Sequence, residues 1–272
     1  EITECHLPEP ALNDLWPQLE FEPGTDIERV ALRGGKDDNL MLVLESESPE
    51  PPELEIEADV SVAHVYEGNT VVIAGNDHIL IRVLDRDFKV SAPSFFQVNT
   101  VMAEKMVEHL FTCLPVSLST TLLDLYCGVG LFSAFFASRC ANIIGVESFA
   151  SSCEDFTVNL DEFDNVELYE GAVEEVLPNL VGRIVRDSIP EGDNPPYVIA
   201  DPPRAGIERH ALDAIMQWKP QLIAYVSCDP STLARDARRL IESGYELKQV
   251  TPFDLFPQTY HIESISIFEP KE

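Results

Sequence analysis

Leu122-Leu123-Asp124-Leu125-Tyr126-Cys127-Gly128-Val129-Gly130-Leu131-Phe132 is an apolar run that passes through two closely spaced glycines into a second apolar run. The first five residues read as a buried strand, and the segment from Leu131 to Cys140 reads as a helix. The glycines form the turn between them, where a backbone lacking Cβ atoms can approach a ligand closely. In sheets built from alternating strands and helices, ligands sit beyond the carboxyl ends of the strands, which is where this turn falls. Nineteen residues after Gly128, Glu147 closes the next expected strand, from Ile143, and is placed to accept hydrogen bonds from ribose hydroxyls. Together they point to a nucleoside cofactor. The plainer alternative is a tight turn in an α/β domain without a ligand.

Outward from this stretch the alternation continues. Helical spacing is read at Val101 to Leu114, Ala150 to Leu160, Glu208 to Trp218 and Ser231 to Ser243. Strands are read at Val166 to Tyr169, Tyr197 to Asp201, Leu222 to Ser227, Glu246 to Val250 and Ile262 to Phe268. Near-continuous apolar strands between helices indicate a parallel sheet covered on both faces. Before Ala92-Pro93 the pattern is different. Short strands are expected at Ile27 to Leu32, Leu40 to Leu44, Val60 to Val65, Thr70 to Ala74 and His78 to Val83, with a hairpin turn at residues 34–39 and an acidic, proline-bearing loop at Glu45 to Glu57. The expectation is a small β-rich domain over residues 1–93 followed by an α/β domain over 94–272.

The chain has 272 residues with 48 acidic and 18 basic side chains, a formal charge of −30. Residues 1–94 hold 21 acidic and 6 basic groups and the rest hold 27 and 12, so the charge is not confined to one tail. A phosphate-binding protein ordinarily presents a basic surface. Either the charge is general acidic solvation, or local Arg clusters such as Arg235, Arg238 and Arg239 make any phosphate contacts. No apolar run is long enough to cross a bilayer. The six cysteines lack the spacing of a disulfide scaffold and include no C-x-x-C pair. A soluble, monomeric protein of the cytoplasm is expected, without a membrane partner. The chain opens on Glu1 rather than Met, which suits a processed protein or a piece of a longer one.

Three further motifs carry chemistry. Asp201-Pro202-Pro203-Arg204-Ala205-Gly206 puts an acid at a strand end and fixes it with two prolines, although the same residues could merely stop a strand. Ser227-Cys228-Asp229-Pro230 puts a thiol where a strand meets a helix, and a helix N-terminus favours the thiolate; a buried structural cysteine is the alternative. Glu263, in Thr259-Tyr260-His261-Ile262-Glu263, opens an apolar strand, a costly place for a carboxylate that does no work. His261 reads best as a polar strand-edge residue. The G-x-G turn lacks the third glycine that admits a dinucleotide pyrophosphate, which favours S-adenosylmethionine over NAD.

Together with Ser94-Phe95-Phe96-Gln97-Val98-Asn99, these motifs resemble the RNA uracil-5 methyltransferases, which make 5-methyluridine in transfer and ribosomal RNA. The resemblance covers roughly residues 90–270. It implies a class I Rossmann-like methyltransferase domain behind a small β-rich central domain, S-adenosylmethionine as cofactor and RNA as partner. It also implies that Gln97, Tyr126, Glu147 and Asp201 contact the cofactor, that Cys228 is the nucleophile, and that Glu263 is the proton acceptor. Many members carry an N-terminal RNA-binding barrel and an iron–sulfur cluster on four cysteines. Here only Cys5 resembles a cluster ligand, and one cysteine cannot hold a cluster, so both are expected to be lost or removed upstream. Ala172 stands where a family Asp is common. The expected chemistry is methylation of C5 through a Cys228–C6 adduct, with the base flipped out of its stack and received by an aromatic such as Phe95 or Phe96. Rival readings are a methyltransferase acting on cytosine or an amino group, and a non-catalytic cofactor-binding or interaction module.

Overall fold

The structure is a computed structural model that describes residues 8–21, 24–54, 59–187 and 195–271. Cys5 and residues 55–57 of the expected acidic loop lie outside them. The chain forms two compact units, Glu1–Phe96 and Gln97–Glu272.

In the first unit a short helix α1 (Pro10–Leu15) precedes β1 (Ile27–Gly34), β2 (Leu40–Ser46), β3 (Ser61–Tyr66), β4 (Asn69–Ala74), β5 (His78–Val83) and β6 (Arg86–Ser91). β1 to β4 form one sheet in chain order, and β5–β6 form a separate hairpin. The β1–β2 hairpin closes at Gly34↔Leu40, around the turn read from the sequence. β2 and β3, however, run parallel, because residues 47–60 between them provide a crossover too long for a hairpin. Leu15 packs with Leu42, Leu44, Val60 and Val62 to form this unit's core. The sequence reading did not include α1 or β6. In β6 the buried Phe88 and Val90 alternate with Arg86, Asp87 and Lys89, so charged residues hid the period of two.

The second unit contains α2 (Thr100–Cys113), β7 (Thr121–Leu125), α3 (Leu131–Phe136), β8 (Asn142–Glu147), α4 (Ala150–Asn159), β9 (Val166–Glu170) and α5 (Val173–Asp187). It continues with β10 (Tyr197–Ala200), α6 (Arg209–Gln217), β11 (Leu222–Ser227), α7 (Pro230–Glu242), β12 (Tyr245–Phe253) and β13 (Glu263–Pro270). The seven strands lie in the order β12-β13-β11-β10-β7-β8-β9. β7 to β11 are parallel, and β13 is antiparallel to both β11 and β12. Leu123, Leu125, Val198, Ala200, Ile223 and Tyr225 face α5, α6 and α7 in one core. The alternate residues Leu122, Asp124, Ile199 and Ala224 are equally buried on the opposite face, where Asp124 bonds to Ser133 of α3. Burial of both faces explains the unbroken apolar strands. Helix α5 was absent from the sequence reading because Pro178 interrupts it.

Candidate active site

The strand register gathers the expected residues along one edge of the sheet. Leu125 pairs with Val146 and Ala200, and Ala200 pairs with Tyr225. The residues one step beyond Leu125, Val146 and Ala200 are Tyr126, Glu147 and Asp201, and Cys228 follows Ser227, the last residue of β11, three positions beyond Tyr225. β13 runs the other way, so its first residue arrives at the same edge. Its pairing with β11 ends at Ser227↔Ser264, so Cys228 and Glu263 are the residues immediately beyond the last pair.

The turn after β7 is held in an uncommon conformation. Tyr126 has φ +61, Gly128 +54 and Gly130 +91, the left-handed region that side chains avoid. A Cβ on Gly130 would collide with Leu160 and Phe156, whereas one on Gly128 would meet no atom within 4 Å. Gly130 therefore permits packing, and Gly128 leaves open backbone beside Glu147. The Glu147 carboxylate accepts from the Gly128 amide at 2.9 Å and from the Ser148 and Phe149 amides at 2.8 Å each. Buried Asp124 accepts from the Ser133 amide at 3.0 Å and its hydroxyl at 2.6 Å, tying the first turn of α3 to the sheet. Burial pushes the Asp124 carboxyl up to about 7, against the pull of Ser133. These features suit a nucleoside cofactor: an open stretch of backbone, an anchored carboxylate for a diol, and a half-buried Tyr126 ring.

At the other end of the edge three titratable groups crowd together. Burial pushes Glu263 up to about 7, with the Arg204 guanidinium opposing. Burial, then Glu263, Asp124 and Glu147, push Asp201 up to about 8. The half-buried Cys228 thiol is raised by burial, then by Glu263 and Asp201, while Arg204 and its own backbone pull it down. This corrects the expectation of a thiol lowered by the helix terminus. The first amides of α7 are taken by Asp229, whose carboxylate accepts from Ser231 and Thr232 at 2.8 and 3.1 Å and so spends the favourable end of the helix on itself.

The loop from Asp201 is anchored by Asp236. That fully buried carboxylate accepts from the Ile207 amide and the Tyr225 hydroxyl at 2.9 Å, and from Arg235 at 2.9 and 3.0 Å. Arg235 in turn donates to the Ala205 carbonyl at 2.8 Å. A Cβ on Gly206 would lie 2.5 Å from both the Arg235 guanidinium and the Asp236 carboxylate, so only glycine fits there. The expected phosphate cluster is thus engaged within the fold: Arg235 holds the loop, Arg239 lies 3.7 Å from Asp236, and Arg238 pairs with Glu242.

Gln97 is half-buried at the approach to α2, and no hydrogen bond among the described residues ties it to the strand-edge acids. Its near neighbour Asn99 caps α2 through the Met102 amide and donates to the Leu255 carbonyl at 3.2 Å, in the loop that leads to Glu263. Phe96 is buried, its ring 5.6 Å from that of Phe88, whereas Phe95 is exposed. Ala172, just before α5, brings no polar side-chain atom. Arg204 carries no motif signal of its own, and its influence on Cys228, Asp229 and Glu263 acts through space from a loop. Among the described residues no cluster of three or more His, Cys, Asp or Glu is placed to hold a metal, and no helix is long and apolar enough to cross a membrane.

Residues 69–271 match the family model described as tRNA (uracil-5-)-methyltransferase. A Streptomyces coelicolor protein described as an uncharacterized RNA methyltransferase is 34% identical over 279 residues, covering 99% of this chain and 58% of that protein. A similarly described protein of Chlorobaculum tepidum is 34% identical over 203 residues, covering 74% and 41%. The chain therefore spans roughly half the length of these relatives. Among solved structures, the Pyrococcus abyssi tRNA (uracil-54, C5)-methyltransferase in complex with S-adenosyl-L-homocysteine superposes with a TM-score of 0.66 at 26% identity, covering 88% of this chain and 59% of that one. The α/β sheet is that of the Rossmann-like methyltransferases, and the chain belongs to the tRNA (uracil-5-)-methyltransferase family.

Proposed function

We propose that the chain is the catalytic part of an S-adenosylmethionine-dependent enzyme that methylates C5 of a uridine in transfer or ribosomal RNA, acting as a cytoplasmic monomer. The observation that carries this reading is that the last β11–β13 pair, Ser227↔Ser264, leaves Cys228 and Glu263 as the next residues of their chains at the sheet edge where Asp201 and Glu147 also lie, with Glu263 and Asp201 both acting on the Cys228 thiol. The family match supports it independently.

In this reading Gln97, Tyr126, Glu147 and Asp201 hold the cofactor, which when bound supplies an electrophilic methyl group on a sulfonium. A cationic ligand beside Asp201 favours its ionised form, offsetting the burial that otherwise keeps it protonated. Uracil C5 is too weak a nucleophile by itself. The Cys228 thiolate adds to C6, forming the S–C6 bond and placing the electron pair on the C5–C4–O4 enolate, so that C5 would form its bond to the methyl carbon as the methyl–sulfonium C–S bond breaks and its electron pair goes to sulfur. Glu263, ionised, then takes the C5 proton. The electrons of that C–H bond re-form C5=C6, the S–C6 bond breaks, and Cys228 leaves as the thiolate. Positioned just beyond the last β11–β13 pair, the two groups need no large motion between these steps.

RNA bearing 5-fluorouridine tests the sequence of events, because fluorine cannot leave as a proton and the adduct persists. The native chain is expected to form a covalent RNA–protein species stable to denaturing electrophoresis, and Cys228→Ala to form none. The same adduct from Cys228→Ala would remove Cys228 as the nucleophile.

A further inference from the structure

The loop between β12 and β13 carries an aromatic ring that the fold leaves in water. Tyr260 is 89% exposed, although it stands three residues from Glu263. Its ring is not adrift: the centroid lies 4.1 Å from that of His261, tilted by 39°. The His261 Nδ1 lies 3.0 Å from an Arg204 guanidinium nitrogen, a group that can only donate. Phe256 supports His261 from its edge, at 5.7 Å. The loop is pre-formed: the Thr259 hydroxyl donates to the Phe256 carbonyl at 2.8 Å and accepts from the His261 amide at 3.2 Å, while Gln258 turns the chain at φ +66.

Guanidinium, imidazole and phenol ring are thus in contact in series, and the guanidinium also acts on Cys228 and Glu263. Arg204 gives one N–H to His261, and no other hydrogen bond among the described residues engages it. In a chain with 48 acidic and 18 basic residues, a cation with free donors next to an exposed phenol ring packed on a half-buried imidazole is a local exception. Every nucleobase has a π-face, so such a surface accepts a base whatever its identity, while the guanidinium can reach the adjoining phosphate. A uridine drawn out of its stack also leaves its neighbour without a stacking partner.

We propose that Tyr260, His261 and Arg204 form a stacking platform for the base of the RNA nucleotide adjoining the methylated uridine, in a single-stranded stretch. The proposal rests on the reading in the preceding section. Tyr260 is a substrate-positioning residue and takes no part in bond making.

The test uses the RNA that the chain methylates, with Tyr260→Ala, Tyr260→Trp, and RNA made abasic at each position flanking the target. Tyr260→Ala is expected to raise KM for RNA roughly five- to a hundred-fold, leaving cofactor Kd and the urea midpoint unchanged, and Tyr260→Trp to restore it. One flanking abasic site should reproduce the loss in the native chain and add nothing in Tyr260→Ala. An unchanged KM in Tyr260→Ala, or losses that multiply fully, overturns the platform. Failure of the native chain to methylate any RNA counts against the preceding reading instead. In that case, fluorescence anisotropy with a labelled single-stranded RNA oligomer decides the platform: weaker binding by Tyr260→Ala upholds it, and equal binding overturns it.

Discussion

In the proposed reaction Cys228 loses a proton and Glu263 accepts one, yet each charge makes the other harder to form. Burial lifts both groups, and Arg204 is the cation that opposes the lift at each. Glu263 ionises first, near 7, and its charge then holds the thiol above its ordinary range. The single-turnover rate of methylation is therefore expected to climb through pH 7 and to keep climbing on the alkaline side, without the plateau a low-pKa thiolate would give. Arg204→Gln should move both limbs upward by roughly 0.5–1 pH unit, read from single-turnover rates across pH. Limbs that stay in place would mean that Arg204 does not set these charges. The residue types and their motifs were legible in the sequence. Their charge states were not, because the thiol's surroundings come from a loop, a neighbouring strand and a capped helix that meet only in the folded chain.

Among the elements, the turn between β7 and α3 separates two uses of glycine. Gly130→Ala combines a left-handed φ with a collision against Leu160 and Phe156, and is expected to cost ~2–4 kcal/mol of stability. Gly128→Ala suffers only the backbone strain of ~1–2 kcal/mol, but its methyl would occupy the open space beside Glu147. The first variant should lower the urea midpoint sharply. The second should lower it little while abolishing binding of S-adenosylmethionine measured by calorimetry. Equal midpoints for the two would contradict the packing. β7, β8, β10 and β11 were readable because burial on both faces writes unbroken apolar runs. α5 was not, since Pro178 removes one helical hydrogen bond and the surrounding Val176, Leu177 and Leu180 sustain the helix by packing. Nor does local pattern record strand direction: nothing within Glu263–Pro270 says that it runs against β11, although the candidate site depends on that reversal.

For the whole molecule, acidity acts twice. Asp124, Asp201 and Glu263 keep their protons to about 7 or 8 in the folded state, while an unfolded chain loses them near 4. Below pH 4 both states are protonated and there is no penalty. Between about 4 and 8 the unfolded state binds fewer protons, so stability falls as pH rises. Surface repulsion from a formal charge of −30 falls on top of this. The urea midpoint is expected to drop from pH 5 to pH 8. Added 0.5 M salt should recover the screened surface part, and Asp201→Asn part of the remainder. A midpoint that rises over this interval would mean these carboxyls ionise as readily folded as unfolded.

The reversed direction of β13 also has a consequence in time. Glu263 is encoded thirty-five positions after Cys228, and it reaches the sulfur only when the final hairpin has closed onto β11. During synthesis the five parallel strands emerge before the carboxylate to which the proposed mechanism gives the C5 proton. On that mechanism the nascent chain cannot complete a turnover until its last strand docks, and a lesion that keeps residues 245–270 from inserting would leave a scaffold that stops at the C6 adduct.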